Sequence, residues 1–306
     1  MNIKFSRPKG FGEILDHTFS LSKDRFRDFF TILLIFMGPV YILEALILFG
    51  SGTSFFREVG PGEDWISQIS NSFNESAVPD NMGLGVALGT IFIGLLSMVL
   101  FPVAEAAILI ALNHIRKNEE YTIGSVIKKA FTRFWAMLGS NILFALIVFG
   151  FIFVAVLIVV PIGIFGAIGN PFGGILFIII FGLGLFVGVG YLLTRWGFYF
   201  GSVVLDYESP GLSRSWHLSK KRGWILFGLY IIFFLIISAI SFAVETTFAI
   251  FLGNSVLLTL IVNLTTIFTT LLFAVGYGVM YLDAKVRHDA EDLDEMIEGF
   301  SDQDKW

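Results

Sequence analysis

Three carboxylates lie inside long apolar runs of this chain: Glu44, Glu105 and Glu245. An ionised carboxylate at the centre of a membrane costs roughly 3 kcal/mol even on insertion scales, so each must face water, a partner or a bundle interior. Counted along their runs, Glu44 and Glu245 fall in the third farthest from the cationic connectors. Glu105 falls in the nearest third, at about the depth of Arg195. The spacing therefore offers Glu105 and Arg195 as an ion pair, and Glu44 with Glu245 as a shared proton or cation site. The competing reading is that each carboxyl reaches water at a boundary, or is protonated and hydrogen-bonded as a packing feature. Pro102 precedes Glu105 by one turn, and Pro39 interrupts the first apolar run. A proline frees a backbone carbonyl, as in the broken helices of transporters, although prolines also merely kink membrane helices.

Other reactive groups are sparse. His17, His114, His217 and His288 all lie near cationic connectors, which suggests metal binding or pH sensing. None has a second ligand at the H-x-x-x-H spacing, so solvated interfacial histidines are the expectation. There is no cysteine, hence no thiol nucleophile and no thiolate metal site. Gly182, Gly184, Gly188 and Gly190 sit within an apolar run and lack the Lys-Ser/Thr of a phosphate loop. No Ser/His/Asp set is visible, and neither a cofactor nor catalysis is expected.

The elements that must position these groups are apolar blocks near 29–50, 83–112, 135–161, 172–195, 224–250 and 256–282. Each exceeds the ~20 helical residues needed to cross a ~30 Å hydrocarbon core. From Phe134 to Thr194 no side chain is charged. The expected fold is all-α: one polytopic domain of six transmembrane helices over residues 1–282, then an acidic tail, 283–306. Threading the connectors alternately puts every Lys and Arg except Arg57 on one side. Cationic loops stay in the cytoplasm, so both termini are expected inside and three hairpins outside. Nearly thirty mostly polar residues precede the first apolar run, so insertion is expected on an uncleaved first helix.

Each hairpin follows an amphipathic stretch, which suggests three copies of an interfacial helix, a helix out and a helix back. The stripes are Phe11, Ile14, Leu15, Thr18 and Phe19; then Val126, Ile127, Ala130 and Phe131; then Leu212, Ser215, Trp216 and Ser219. A basic lead-in before any inserted hairpin would look similar. Between the first two blocks, Trp65, Ile66, Ile69 and Phe73 predict a short helix on the outer surface. The other outer connectors, around Gly166–Pro171 and Leu252–Ser255, read as turns. Gly85/Gly89, Gly184/Gly188 and Gly197/Gly201 are pairs that permit close helix approach.

At 306 residues, with 56% hydrophobic and 15% charged side chains, there is no room for a soluble catalytic domain. The basic rim suits the bilayer's anionic lipid headgroups, and its interspersed acids argue against nucleic acid. Nine acids crowd between Asp283 and Asp304. The basic block Arg214, Lys220, Lys221 and Arg222, beside Trp216, leads into the fifth run. Asp283, Lys285, Arg287 and Asp292 follow the sixth. If the two segments meet, Arg214 is expected to pair with Asp283 or a near neighbour, and the tail to fold back over the rim.

Two segments carry a family resemblance. Gly211-Leu212-Ser213-Arg214-Ser215-Trp216-His217-Leu218-Ser219 and Tyr281-Leu282-Asp283-Ala284-Lys285-Val286-Arg287-His288-Asp289 resemble the cytoplasmic helix and closing motif of a bacterial membrane family. That family is named for the membrane domain of glycerophosphoryl diester phosphodiesterases. Arg7-Pro8 and Gly12-Glu13-Ile14-Leu15-Asp16 fit its opening, while Lys285, Asp289 and Ala290 depart from it. The resemblance implies a stand-alone membrane domain of a bacterial cytoplasmic membrane, without the catalytic barrel. Three functions remain in view: a non-enzymatic accessory module binding membrane proteins or lipids, a transporter using the three glutamates, and an intramembrane lipid enzyme.

Overall fold

The computed structural model describes residues 5, 7–56, 84–169 and 171–303, with side chains for all of these except 162, 164–169, 171 and 289–303. The described chain is helical, without strands. It opens with α1 (Phe11–Asp24), followed by a hairpin of α2 (Phe26–Gly50) and α3 (Leu84–Lys117). The short α4 (Ile123–Phe131) leads into the hairpin α5 (Phe134–Gly169) and α6 (Pro171–Trp196). Two further short helices, α7 (Tyr199–Leu205) and α8 (Leu212–Leu218), precede the hairpin α9 (Gly223–Leu252) and α10 (Val256–Gln303).

Six segments are long and apolar enough to cross a membrane: Phe26–Gly50, Leu84–Lys117, Phe134–Pro161, Phe172–Leu205, Gly223–Leu252 and Val256–His288. The chain is a multi-pass membrane protein, all-α as its hydropathy requires. Within each of the three hairpins the two helices pack against each other, and α10 also packs against α1, α2 and α3. The buried core lies in the half of the bundle near α1. Phe29, Ile32 and Leu33 of α2, Ile108–Leu112 of α3, Leu229 and Phe233 of α9, and Val279–Leu282 of α10 meet there. The far halves turn Leu146, Phe149, Phe153, Phe172 and Phe186 outward, where lipid replaces a protein partner.

Local signals explain the short helices. Thr122 and Ser125 cap α4 reciprocally, each side chain accepting the other's backbone N–H at 3.2 and 3.1 Å. In α1 the Glu13 carboxylate accepts the Gly10 N–H at 2.9 Å. At the far end, Gly253 turns at φ 56°, a conformation that favours glycine. Two of α10's unsatisfied N–H groups there find carbonyls outside the helix: Val256 donates to Ser54 at 3.0 Å and Leu257 to Phe55 at 3.2 Å.

The structure corrects several expectations. Pro39 and Pro102 lie inside α2 and α3 without ending them, as membrane helices tolerate proline where neighbouring groups or local adjustments take up the freed carbonyl. The helix that does break is the fourth span, at Gly197–Phe198 between α6 and α7. Where a turn around Gly166–Pro171 was expected, helix runs up to Gly169 and again from Pro171. α10 runs unbroken to Gln303, so the expected tail begins as a continuation of the sixth helix. The surface helix expected around Trp65 lies outside the described residues.

Candidate functional site

The break in the fourth span is where polar chemistry enters the bundle. Ending α6 at Trp196 exposes backbone groups that lipid cannot satisfy. Ser215 of α8 supplies both needs. Its Oγ accepts the Phe198 N–H at 2.9 Å and donates to the Arg195 carbonyl at 2.9 Å. Ser219 Oγ also donates to that carbonyl, at 3.1 Å. The Gly201 N–H reaches the Tyr277 hydroxyl of α10 at 2.8 Å. Gly201 is needed here, since a Cβ would sit 2.5 Å from Cδ2 of Tyr281. Of the glycine pairs noted in the sequence, Gly197/Gly201 is the one pressed against aromatic rings on both members. Gly184 and Gly188 face open space.

Beside the break the three hairpins leave a cavity of about 380 Å³. Its wall is mostly apolar, and seven of its fifteen lining residues are aromatic. Every membrane-crossing helix except α2 contributes. Glu105 enters from α3, one turn after Pro102, and is the cavity's one carboxylate. Tyr199 from α7, Tyr230 from α9 and Tyr277 from α10 surround it with phenols, and Asn141 stands on α5. The Tyr199 hydroxyl donates to Asn141 Oδ1 at 2.8 Å, which spends that acceptor. No hydrogen-bond donor or cation among the described residues reaches the Glu105 carboxyl. The expected pair with Arg195 does not form. Arg195 turns toward the interface, donating to Ser219 Oγ at 2.9 Å and to the Trp216 carbonyl at 3.0 Å. Its guanidinium lies 3.9 Å from the centre of the Trp216 ring.

Glu44 and Glu245 do not share a site either. Glu44 accepts from Asn263 Nδ2 at 2.8 Å across the α2–α10 seam. Glu245 is exposed on α9. Equal depth along two helices does not bring side chains to the same azimuth.

Below the cavity, at the end of the bundle that carries α1, the basic block and the end of the sixth span do meet. The partners differ from the expected ones. Asp283 takes Arg222 at 2.9 Å, Arg287 at 3.0 Å and the backbone N–H of Lys9 at 2.7 Å. Arg222 and Arg287 also donate to the Lys9 carbonyl. Arg214 instead pairs with Asp206, at 3.4 Å, in the loop after α7. Asp206 further accepts from Tyr281 at 2.7 Å and from Lys285. Burial alone would raise the Asp206 carboxyl, but Lys285, Tyr281 and Arg214 outweigh it and hold it below the usual carboxylate range. The side chain of Asp292 lies outside those described. His114 meets Glu119 at 2.7 Å, and no group of three metal-ligating side chains occurs among the described residues.

Tyr199, Tyr230, Tyr277 and Asn141 were missed in the sequence. The available signal was a phenol or amide in an otherwise apolar helix, where each polar atom needs a partner. A family model described as Domain of unknown function (DUF7847) matches residues 65–285, which includes all the cavity residues. No curated protein and no solved structure matches the chain.

Proposed function

We propose, from the premise that the chain belongs to the DUF7847 family, that it is a non-enzymatic membrane module holding a small amphipathic or lipid-derived ligand. The site is the cavity between its hairpins. The observation that carries this reading is an aromatic cavity inside the membrane with a carboxyl that no described residue satisfies. Its volume lies within the roughly 300–1,000 Å³ of small-molecule sites, and convergent polar groups in an apolar pocket are the usual mark of one. The module belongs to a bacterial cytoplasmic membrane. Its cationic end faces the cytoplasm, and the basic rim contacts anionic headgroups or a membrane-protein partner. On the likeness of its two motif segments, it is a counterpart of the phosphodiesterase membrane domain. A diazirine-bearing fatty amide, photolysed with the protein in nanodiscs, tests the cavity. Expected labels fall on Phe144, Tyr230 and Phe273, and Ala274→Leu or Ala274→Trp reduces them. Labelling spread evenly over lipid-facing residues, indifferent to both plugs, overturns the proposal.

A second reading, transport of that ligand, is favoured by the helix break beside the cavity. Discontinuous helices give two rigid pieces that can move apart without unsatisfied backbone, as their freed groups already have side-chain partners.

A further inference from the structure

Resting on the cavity reading, we infer that the ligand is a lipophilic organic cation, its ammonium group held by Glu105 among the aromatic faces. Two observations converge. Glu105 presents a carboxyl to the cavity with no cation among the described residues within reach, and the partner expected from the sequence, Arg195, is engaged by Ser219 and Trp216. The same cavity is lined by the rings of Tyr199, Tyr230, Tyr277, Phe101 and Phe273, and aromatic rings attract a desolvated cation. An anionic ligand would meet an uncompensated carboxylate. A small metal ion would need several oxygens, and most of the wall is hydrocarbon and ring carbon. A bulky ammonium matches both the charge and the wall.

One carboxyl holds either the ligand's cation or a proton, so occupancy by the cation opposes protonation. The other groups facing Glu105 do not complicate this balance. They are the phenols Tyr199 of α7, Tyr230 of α9 and Tyr277 of α10, with Thr194 of α6 and Asn141 of α5. Phenols stay neutral below pH about 10. Arg195 is permanently charged and directed away.

The test uses 4-phenylbenzyl-trimethylammonium and its neutral isostere, in which carbon replaces nitrogen. Each competes with the photolabel in nanodiscs of zwitterionic lipid, with empty nanodiscs correcting for partitioning. The wild type is expected to prefer the ammonium by about tenfold or more. Glu105→Gln is expected to bring that preference down to about twofold or less. In the wild type, acidification from pH 8 to 5 is expected to weaken the ammonium and leave the isostere unchanged. This last arm needs no variant, and it stands if Glu105→Gln fails to fold. Equal competition by both probes sinks the cation assignment and leaves the cavity reading intact. If neither probe displaces the label, the cavity reading itself fails. A preference that survives Glu105→Gln and is flat with pH removes Glu105 from the site.

Discussion

Asp283 and Asp206 are the residues on which the charged layer turns. Asp283 is almost wholly buried, at 3% exposure, and gathers two guanidinium groups and a backbone N–H. Asp283→Ala strands Arg222 and Arg287 against each other, and the expected loss is about 3–5 kcal/mol of stability, seen as a lowered Tm in detergent. Asp206 gives a pH signature. Its folded pKa is depressed below the ordinary 3.8, so its contribution is complete above that pH and disappears as pH falls through the folded value. Asp206→Asn should therefore lose stability at pH 6 and show a flatter acid limb below pH 3.8 than the wild type. Equal acid limbs would count against the ion cluster. These groups show what a sequence can reveal at this scale. Glu105 is legible because a charge within hydrocarbon stands out. Its surroundings are not, because position along a helix fixes depth and leaves the direction of the side chain open. The meeting of the basic block with the end of the sixth span is likewise legible, but its pairing is not. Asp206 lies in a short polar connector where nothing in the local pattern marks it as Arg214's partner.

At the scale of elements the decisive feature is the junction of α6, α7 and α8. Proline was the natural signal for a break, yet the helix parts at Gly197–Phe198. What matters is whether neighbouring side chains can receive the freed backbone groups. Ser215 does so from α8, 17 and 20 positions along the chain, which no local pattern encodes. Ser215→Ala leaves a buried N–H and weakens a carbonyl's bonding, at an expected cost of about 1–3 kcal/mol. Gly201→Ala forces Tyr281 aside, at a comparable cost of about 1–3 kcal/mol. Chemical denaturation in micelles measures both, and a neutral Gly201→Ala would show that α7 is more loosely seated than its contacts imply. The six spans and the three amphipathic lead-ins, by contrast, stand in the sequence plainly, because length and hydropathy are properties of the segment alone.

For the whole molecule, six crossings bring both ends of the described chain to one face. The lack of native cysteine makes its orientation directly testable. Ser70→Cys is expected to react with an impermeant maleimide from outside intact cells, while Glu120→Cys and Glu295→Cys react only after lysis; the opposite pattern reverses the orientation. The same arrangement has a temporal side. The backbone of Lys9 is clasped at its N–H by Asp283 and at its carbonyl by Arg287, 274 and 278 positions later. A ribosome adding about 5–20 residues per second leaves Lys9 waiting on the order of tens of seconds for those partners to exist. Until the sixth helix is inserted, Lys9 lacks its Asp283 and Arg287 partners, and the arm before α1 has only its contacts to α1 and to Arg222. The clasp thus closes last and registers that synthesis and insertion have run their course. A chain halted before Asp283 would leave the Lys9 backbone without that clasp, which sets it apart from a finished one.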